Sequence, residues 1–169
     1  SANLEKIPLA GASVLSMGYA RKDVEHPLDA FGIVSPIKEN RPLIAISISS
    51  VKFSGRAPED HVLFRIFIGG ALQPELLKLS DDELIQSTRN ELKELLGVRG
   101  EPILTEIARW TNTMPQYHVG HVDLVDSIET QLQHIPGLEL AGNAYRGVGI
   151  PLCIRSGKPA AKRIIGTEI

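Results

Sequence analysis

Two stretches of this sequence spend glycine, proline and aromatic residues without keeping the period of a helix or a strand, and chemistry would concentrate there. The first is Arg109-Trp110-Thr111-Asn112-Thr113-Met114-Pro115-Gln116-Tyr117-His118-Val119-Gly120-His121. The second is Ala141-Gly142-Asn143-Ala144-Tyr145-Arg146-Gly147-Val148-Gly149-Ile150-Pro151-Leu152-Cys153-Ile154. In the second, a short apolar run precedes a bend holding Gly142, Gly147 and Gly149. Pro151 then stands where proline suits the first turn of a helix. Glycine lets backbone approach a flat ligand closely. A helix beginning just beyond aims unpaired N–H groups and a partial positive charge at whatever lies above it. Such a place suits a phosphate, a carboxylate, or the N1–C2=O edge of a flavin that turns anionic on reduction. The helix end contributes about 0.3 to 2 kcal/mol to an adjacent negative charge. For a two-electron couple that is on the order of 10 to 40 mV. It tunes a flavin and is too weak to hold one.

Other reactive side chains carry less. His118 and His121 form an H-x-x-H pair, but no acidic or cysteine partner stands at tetrahedral-site spacing, so no metal is assigned and a role at the start of a helix is expected. Trp110 is the single tryptophan and, on residue type alone, reads as core. Cys153, the single cysteine, sits among apolar neighbours and reads as a buried, inert thiol. Arg21, Arg65 and Arg146 have the planar geometry that pairs with carboxylates. No side chain stands out as an acid–base catalyst, and none is assigned.

The elements that must position these segments follow from periodicity. Ser13–Arg21 and the run 31–36 read as strands. Across 42–51, Ile44, Ile46 and Ile48 alternate with Ala45, Ser47 and Ser49, and across 61–68 Val62, Phe64, Ile66 and Ile68 alternate in the same way. The turn formers of 54–60 join these two as a hairpin. Ser80 followed by Glu83 is a capping-box signature. It opens a helix with Leu84, Ile85, Thr88, Leu92, Leu95 and Leu96 on one face, stopped at Gly97. A strand over 101–110, a helix over 121–134 burying Leu124, Val125, Ile128 and Leu132, a short strand over 138–141 and a helix over 150–165 complete the chain. Strands followed by helices mixed with short strands give an α+β fold with a mostly antiparallel sheet. Residues 1–140 are expected to form an α+β region and 141–169 a terminal strand–loop–helix, in one compact unit.

Composition bounds the rest. At 169 residues the chain is long enough for one domain with a hydrophobic core. It is 43% hydrophobic and 22% charged, as soluble globular proteins are. A net charge of −2 offers no field for nucleic acid. No apolar stretch reaches the roughly 18 to 20 residues of a spanning helix. The opening SANLEKIPLAG lacks the pattern of a signal peptide and does not begin with methionine. A cytoplasmic protein, with peripheral membrane contact left open, is expected.

PQYHVGH at 115–121 and GNAYRGVGIPLCIRSGKPAA at 142–161 resemble the bacterial-type protoporphyrinogen oxidases of the flavin amine-oxidase superfamily. Weaker similarity runs through FGIVSP (31–36), SSVKFSGRAPED (49–60) and FIGGA (67–71), so the resemblance covers nearly the whole chain. It implies a haem-biosynthetic enzyme that oxidises a porphyrinogen, either protoporphyrinogen or coproporphyrinogen, to a porphyrin through FAD. By matching position it implies that Val148, Gly149 and Ile150 contact FAD, that Trp110 borders it, and that Pro151 starts the helix there. It also implies that the cofactor takes the hydride while the protein orients and tunes it.

The sequence departs from the family in two ways. Leu152 stands where the family usually has an acidic residue. A dinucleotide-binding turn needs G-x-G-x-x-G, and after Gly147 and Gly149 the third position is Leu152. In full-length relatives that fingerprint lies before the equivalent of Ser1. The chain is therefore expected to be a C-terminal portion that lacks an N-terminal FAD-binding segment, retains FAD poorly alone and does not turn over. Homodimerisation through apolar area exposed by the missing segment is a further expectation. Two rivals are a superfamily oxidoreductase acting on an amine or a carotenoid precursor, and a non-catalytic α+β binding module.

Overall fold

The computed structural model describes residues 2–166. Five strands form one sheet in the order β2-β3-β4-β1-β5. They are β1 (Leu9–Ala20), β2 (Gly32–Val34), β3 (Ala45–Ile48), β4 (His61–Gly69) and β5 (Leu104–Pro115). The helices are α1 (Ser49–Lys52), α2 (Asp81–Leu96), α3 (His121–Leu132) and α4 (Ile150–Ile165). The β1–β4, β2–β3 and β3–β4 pairs are antiparallel, and the α+β class expected from the sequence is met. The chain divides into two compact units, Gly11–Thr111 and the combination of Ser1–Ala10 with Asn112–Ile169.

In the Gly11–Thr111 unit the core is built by strand alternation. Leu15, Met17 and Tyr19 of β1, Ile46 and Ile48 of β3, and Phe64, Ile66 and Ile68 of β4 are wholly buried, as a period of two with one covered face requires. The register sets Ile46 opposite Ile66 and Ile48 opposite Phe64, which is the hairpin pairing read from the sequence. The cover is α2. Its Leu84, Thr88, Leu92 and Leu96, each four residues apart, are buried on one face. Its first turn carries the full capping box: Glu83 N–H donates to Ser80 Oγ at 3.3 Å, and Ser80 N–H donates to Glu83 Oε2 at 2.8 Å. Gly97 ends it with φ +61. The Glu91 side chain, nearly buried on this helix, receives Arg41 Nη1 at 2.9 Å.

Three sequence expectations are corrected. The strand read over 42–51 is confined to Ala45–Ile48, because Ser49 turns the chain into α1 and Ser50 Oγ accepts the N–H of Leu63 at 3.2 Å. The strand read over 101–110 runs on to Pro115. Residues 108–113 are all exposed, so no alternation of apolar and polar types marks that stretch as a strand. Leu138–Ala141 is not a strand. A strand exists only by pairing, and among the described residues no ladder partner is bonded to it.

Gly11 shows how closely β1 and β5 lie: a Cβ there would come within 2.7 Å of the Trp110 carbonyl oxygen. In the second unit, α3 buries Val125 and Ile128, and α4 buries Ala160. Helix α4 carries Pro159 in its interior and keeps the bounds expected from the sequence. Among the described residues no helix is long and apolar enough to cross a membrane.

Candidate functional site

The glycine bend of residues 142–149 owes its shape to polar groups that reach it from α3, from α4 and from the segment before α3. Gly142 N–H donates to Ser156 Oγ of α4 at 3.0 Å. Tyr117 Oη donates to the Asn143 carbonyl at 2.7 Å and accepts Gly147 N–H at 2.8 Å. His121 Nε2 lies 2.8 Å from the Tyr145 carbonyl; a carbonyl only accepts, so this nitrogen carries the proton. The two rings, Tyr117 and His121, stack with centroids 3.8 Å apart and planes 13° apart. Arg146 closes on α3, its Nε 3.0 Å from Glu129 Oε1 and its Nη2 2.6 Å from Asp126 Oδ1. The Glu129 and Asp126 carboxylates hold that guanidinium charged well above its ordinary range.

Packing finishes the bend. Gly147 takes φ +141, and a Cβ on it would overlap Leu152 Cδ1 and lie 2.9 Å from Leu152 Cβ. Only glycine meets both demands. Leu152, the residue that departs from the family pattern, therefore serves as the floor beneath Gly147. Cys153 is half-buried rather than buried, with Sγ 3.9 Å from the Gly147 carbonyl oxygen.

The tethers stop at Gly147, and beyond it the surface is open. Val148 is 61% exposed and Ile150 77% exposed. Gly149 caps α4 without any side-chain hydrogen bond, Pro151 occupies the first turn, and no acidic residue stands in that turn. The first N–H groups of a helix have no partner within it. The result is an apolar surface beside a helix end of positive potential, with no carboxylate in that first turn to oppose a developing negative charge.

The structure thus brings Val148, Gly149, Ile150 and Pro151 together on one bend. Trp110 lies on β5 in the other unit and is 55% exposed, so the core reading made from residue type alone is corrected. Of the three arginines considered for carboxylate recognition, two are committed elsewhere. Arg146 is held by Asp126 and Glu129, and Arg21 donates to the carbonyls of Val24, His26 and Pro27. Arg65 is exposed, its guanidinium 5.5 Å from the Phe67 ring centroid. Sequence reasoning missed Tyr117, Ser156 and the Asp126/Glu129 pair as the makers of the bend. The one available signal was the four-residue spacing of Tyr117 and His121 at a helix start.

The protein-family model described as flavin containing amine oxidoreductase matches residues 1–165. Coproporphyrinogen III oxidase of Propionibacterium freudenreichii subsp. freudenreichii is 35% identical over 98% of this chain, which spans 31% of that protein. Protoporphyrinogen oxidase 2, chloroplastic/mitochondrial, of Arabidopsis thaliana is 34% identical over 96% of the chain, which spans 32% of it. A crystal structure from Exiguobacterium sp. 255-15, described provisionally as a protoporphyrinogen oxidase, superposes with a TM-score of 0.85 at 28% identity over 98% of this chain and 37% of that one. Reduced UDP-galactopyranose mutase shares the fold, with a TM-score of 0.60 at 14% identity over 79% of this chain and 28% of that one. The chain spans about a third of the length of the curated relatives it matches. The resemblance to porphyrinogen oxidases drawn from the sequence is met.

Proposed function

This chain belongs to the flavin containing amine oxidoreductase family, and from that premise we propose that it is the C-terminal part of an FAD-dependent oxidase of haem biosynthesis that converts protoporphyrinogen or coproporphyrinogen to the porphyrin. The observation that carries the reading is the similarity, over nearly all of the chain, to oxidases of these two porphyrinogens.

The residues present fit the polar edge of an isoalloxazine. The end of α4 has no side-chain cap and no acid in its first turn, and Val148 and Ile150 offer exposed apolar surface beside it. In this reading Val148, Gly149 and Ile150 would hold the ring system, and Pro151 sets the start of the helix whose amino-terminal N–H groups would favour negative charge on it. Bound FAD would supply the two-electron acceptor that a porphyrinogen needs. The protein's own share is orientation and electrostatics: Gly147 and Leu152 fix the bend, and the helix end favours the anionic reduced ring. Homodimerisation through exposed apolar residues such as Phe31, Val34 and Ile37 accompanies this reading.

The test combines the purified chain with the remaining segment of a porphyrinogen oxidase and FAD, supplies porphyrinogen, and follows porphyrin fluorescence. Porphyrin formation well above the uncatalysed rate is expected. No increase over FAD with that segment alone would sink the reading.

A further inference from the structure

The flavin reading assigns a role to residues 148–151 and leaves open what determines their position. A bend of eight residues with glycine at 142, 147 and 149 has many conformations available, and glycine loses more freedom on ordering than any other residue. A ligand that had to order the bend itself would bind more weakly by that cost. The bend is instead fixed before α4 begins, and two of the hydrogen bonds that fix it converge on one hydroxyl. Tyr117 Oη joins Asn143 and Gly147, residues four apart, by giving its proton to one and accepting the amide proton of the other. Its single proton and one of its acceptor positions are thus spent on the bend's backbone, and the bend is drawn into a loop of fixed width.

That hydroxyl needs its ring held still. His121 does so by stacking on it, and His121 is in turn only 7% exposed with its Nε2 proton committed to the Tyr145 carbonyl. Two aromatic residues four apart, one on the approach to α3 and one as its first residue, therefore bind three carbonyl or amide groups of a segment more than twenty residues away. His121 shares the buried face of α3 with Val125 and Ile128, whereas Tyr117 stands outside that helix and is 40% exposed.

The geometry points to Tyr117 and His121 as positioning residues that preset the 142–149 bend, so that Val148, Gly149 and Ile150 meet the cofactor already ordered. This rests on the flavin reading for its purpose, and on the hydrogen bonds alone for its mechanism. Neither residue is a catalytic group.

Tyr117→Phe removes the hydroxyl and keeps the stacked ring. Hydrogen exchange of the full chain without flavin reads the tether directly. The Gly147 amide is expected to exchange about ten times faster in the variant, the factor that corresponds to loss of one ordinary hydrogen bond, while the amides of α3 keep their protection. In the flavin-loaded enzyme the same variant is expected to release FAD about ten times faster and to change the shape of the flavin absorption band. His121→Gln, which retains a donor for the Tyr145 carbonyl, is expected to keep FAD better than His121→Leu. That pair decides the matter should Tyr117→Phe fail to fold. Unchanged exchange at Gly147 would overturn the tether. Faster exchange with FAD release and absorption unaltered would overturn the positioning role. Should the parent enzyme take up no flavin, the functional reading falls by itself, and the exchange result still decides whether Tyr117 shapes the bend.

Discussion

The Gly11–Thr111 unit keeps its shape by burying apolar side chains from three strands and one helix, whereas the glycine bend of the other unit is kept in shape by hydrogen bonds and ion pairs. Among the largest wholly buried side chains of the described residues, all but Val125 lie in the Gly11–Thr111 unit. The difference matters because the two kinds of force answer to different perturbations. Burial is non-directional and scales with area, so it fixes a scaffold robustly without placing any atom finely. Hydrogen bonds add little net stability but specify geometry. A region that must present an exact surface to a flat ligand gains more from the second.

Substitutions can break or sharpen this contrast. The largest effect is expected at Phe64, which is completely buried. Phe64→Ala should cost about 3 to 5 kcal/mol of stability in chemical denaturation. A loss below about 1 kcal/mol would show that the sheet–helix core is not what holds that unit. Gly147→Ala comes next. It asks for a side chain at φ +141 and against Leu152, and should cost about 1 to 3 kcal/mol. Its unfolding transition should keep the slope of the parent, and flavin retention should drop more than stability does.

Ser80→Ala removes the cap of α2 and should cost about 1 kcal/mol, measured as a fall in the denaturation midpoint. The cap also has a pH signature. The backbone N–H and then the hydroxyl of Ser80 donate to the Glu83 carboxylate and hold its pKa below the ordinary value. A depressed acid stabilises above its unfolded pKa of about 4.3 and loses that contribution as pH falls through the folded value. Protection of the first turn of α2 should therefore fade on acidification below about pH 4, and Ser80→Ala, which keeps the backbone N–H and loses only the hydroxyl, should shrink that step without abolishing it. The smallest effect is expected at the Arg146 clamp, where the side chains are about half exposed. Glu129→Gln should cost about 0.2 to 1 kcal/mol at low salt. The difference from the parent should shrink in 1 M salt, where the Debye length is about 3 Å.

Much of the scaffold was legible because its signals are local. The four-residue spacing from Leu84 to Leu96, the Ser80–Glu83 box, the alternation around Phe64 and the Ile150-Pro151 start each declare an element within a dozen residues. The stretch at 138–141 misled for the opposite reason: an apolar run becomes a strand only with a neighbour to bond. The site divides along the same line. The glycines and Pro151 announced a bend before a helix. The hydroxyl that shapes the bend belongs to Tyr117, and its partners lie 26 and 30 residues away, a distance over which periodicity carries no information.

Helix α4 carries one further consequence. Gly157 and Pro159 both fall inside it, and relative to alanine these cost an isolated helix about 1 and 3 kcal/mol. Only Ala160 is buried along its length. Its order thus rests on few contacts: Leu152 and Ser156 against the bend, then Ala160 and the Arg163–Glu139 ion pair at 2.9 Å. A ligand seated over residues 148–150 would bear on the first of these, and slowed amide exchange is expected at residues 152–156, with little change beyond Pro159, where Ala160 and Arg163 have anchors of their own.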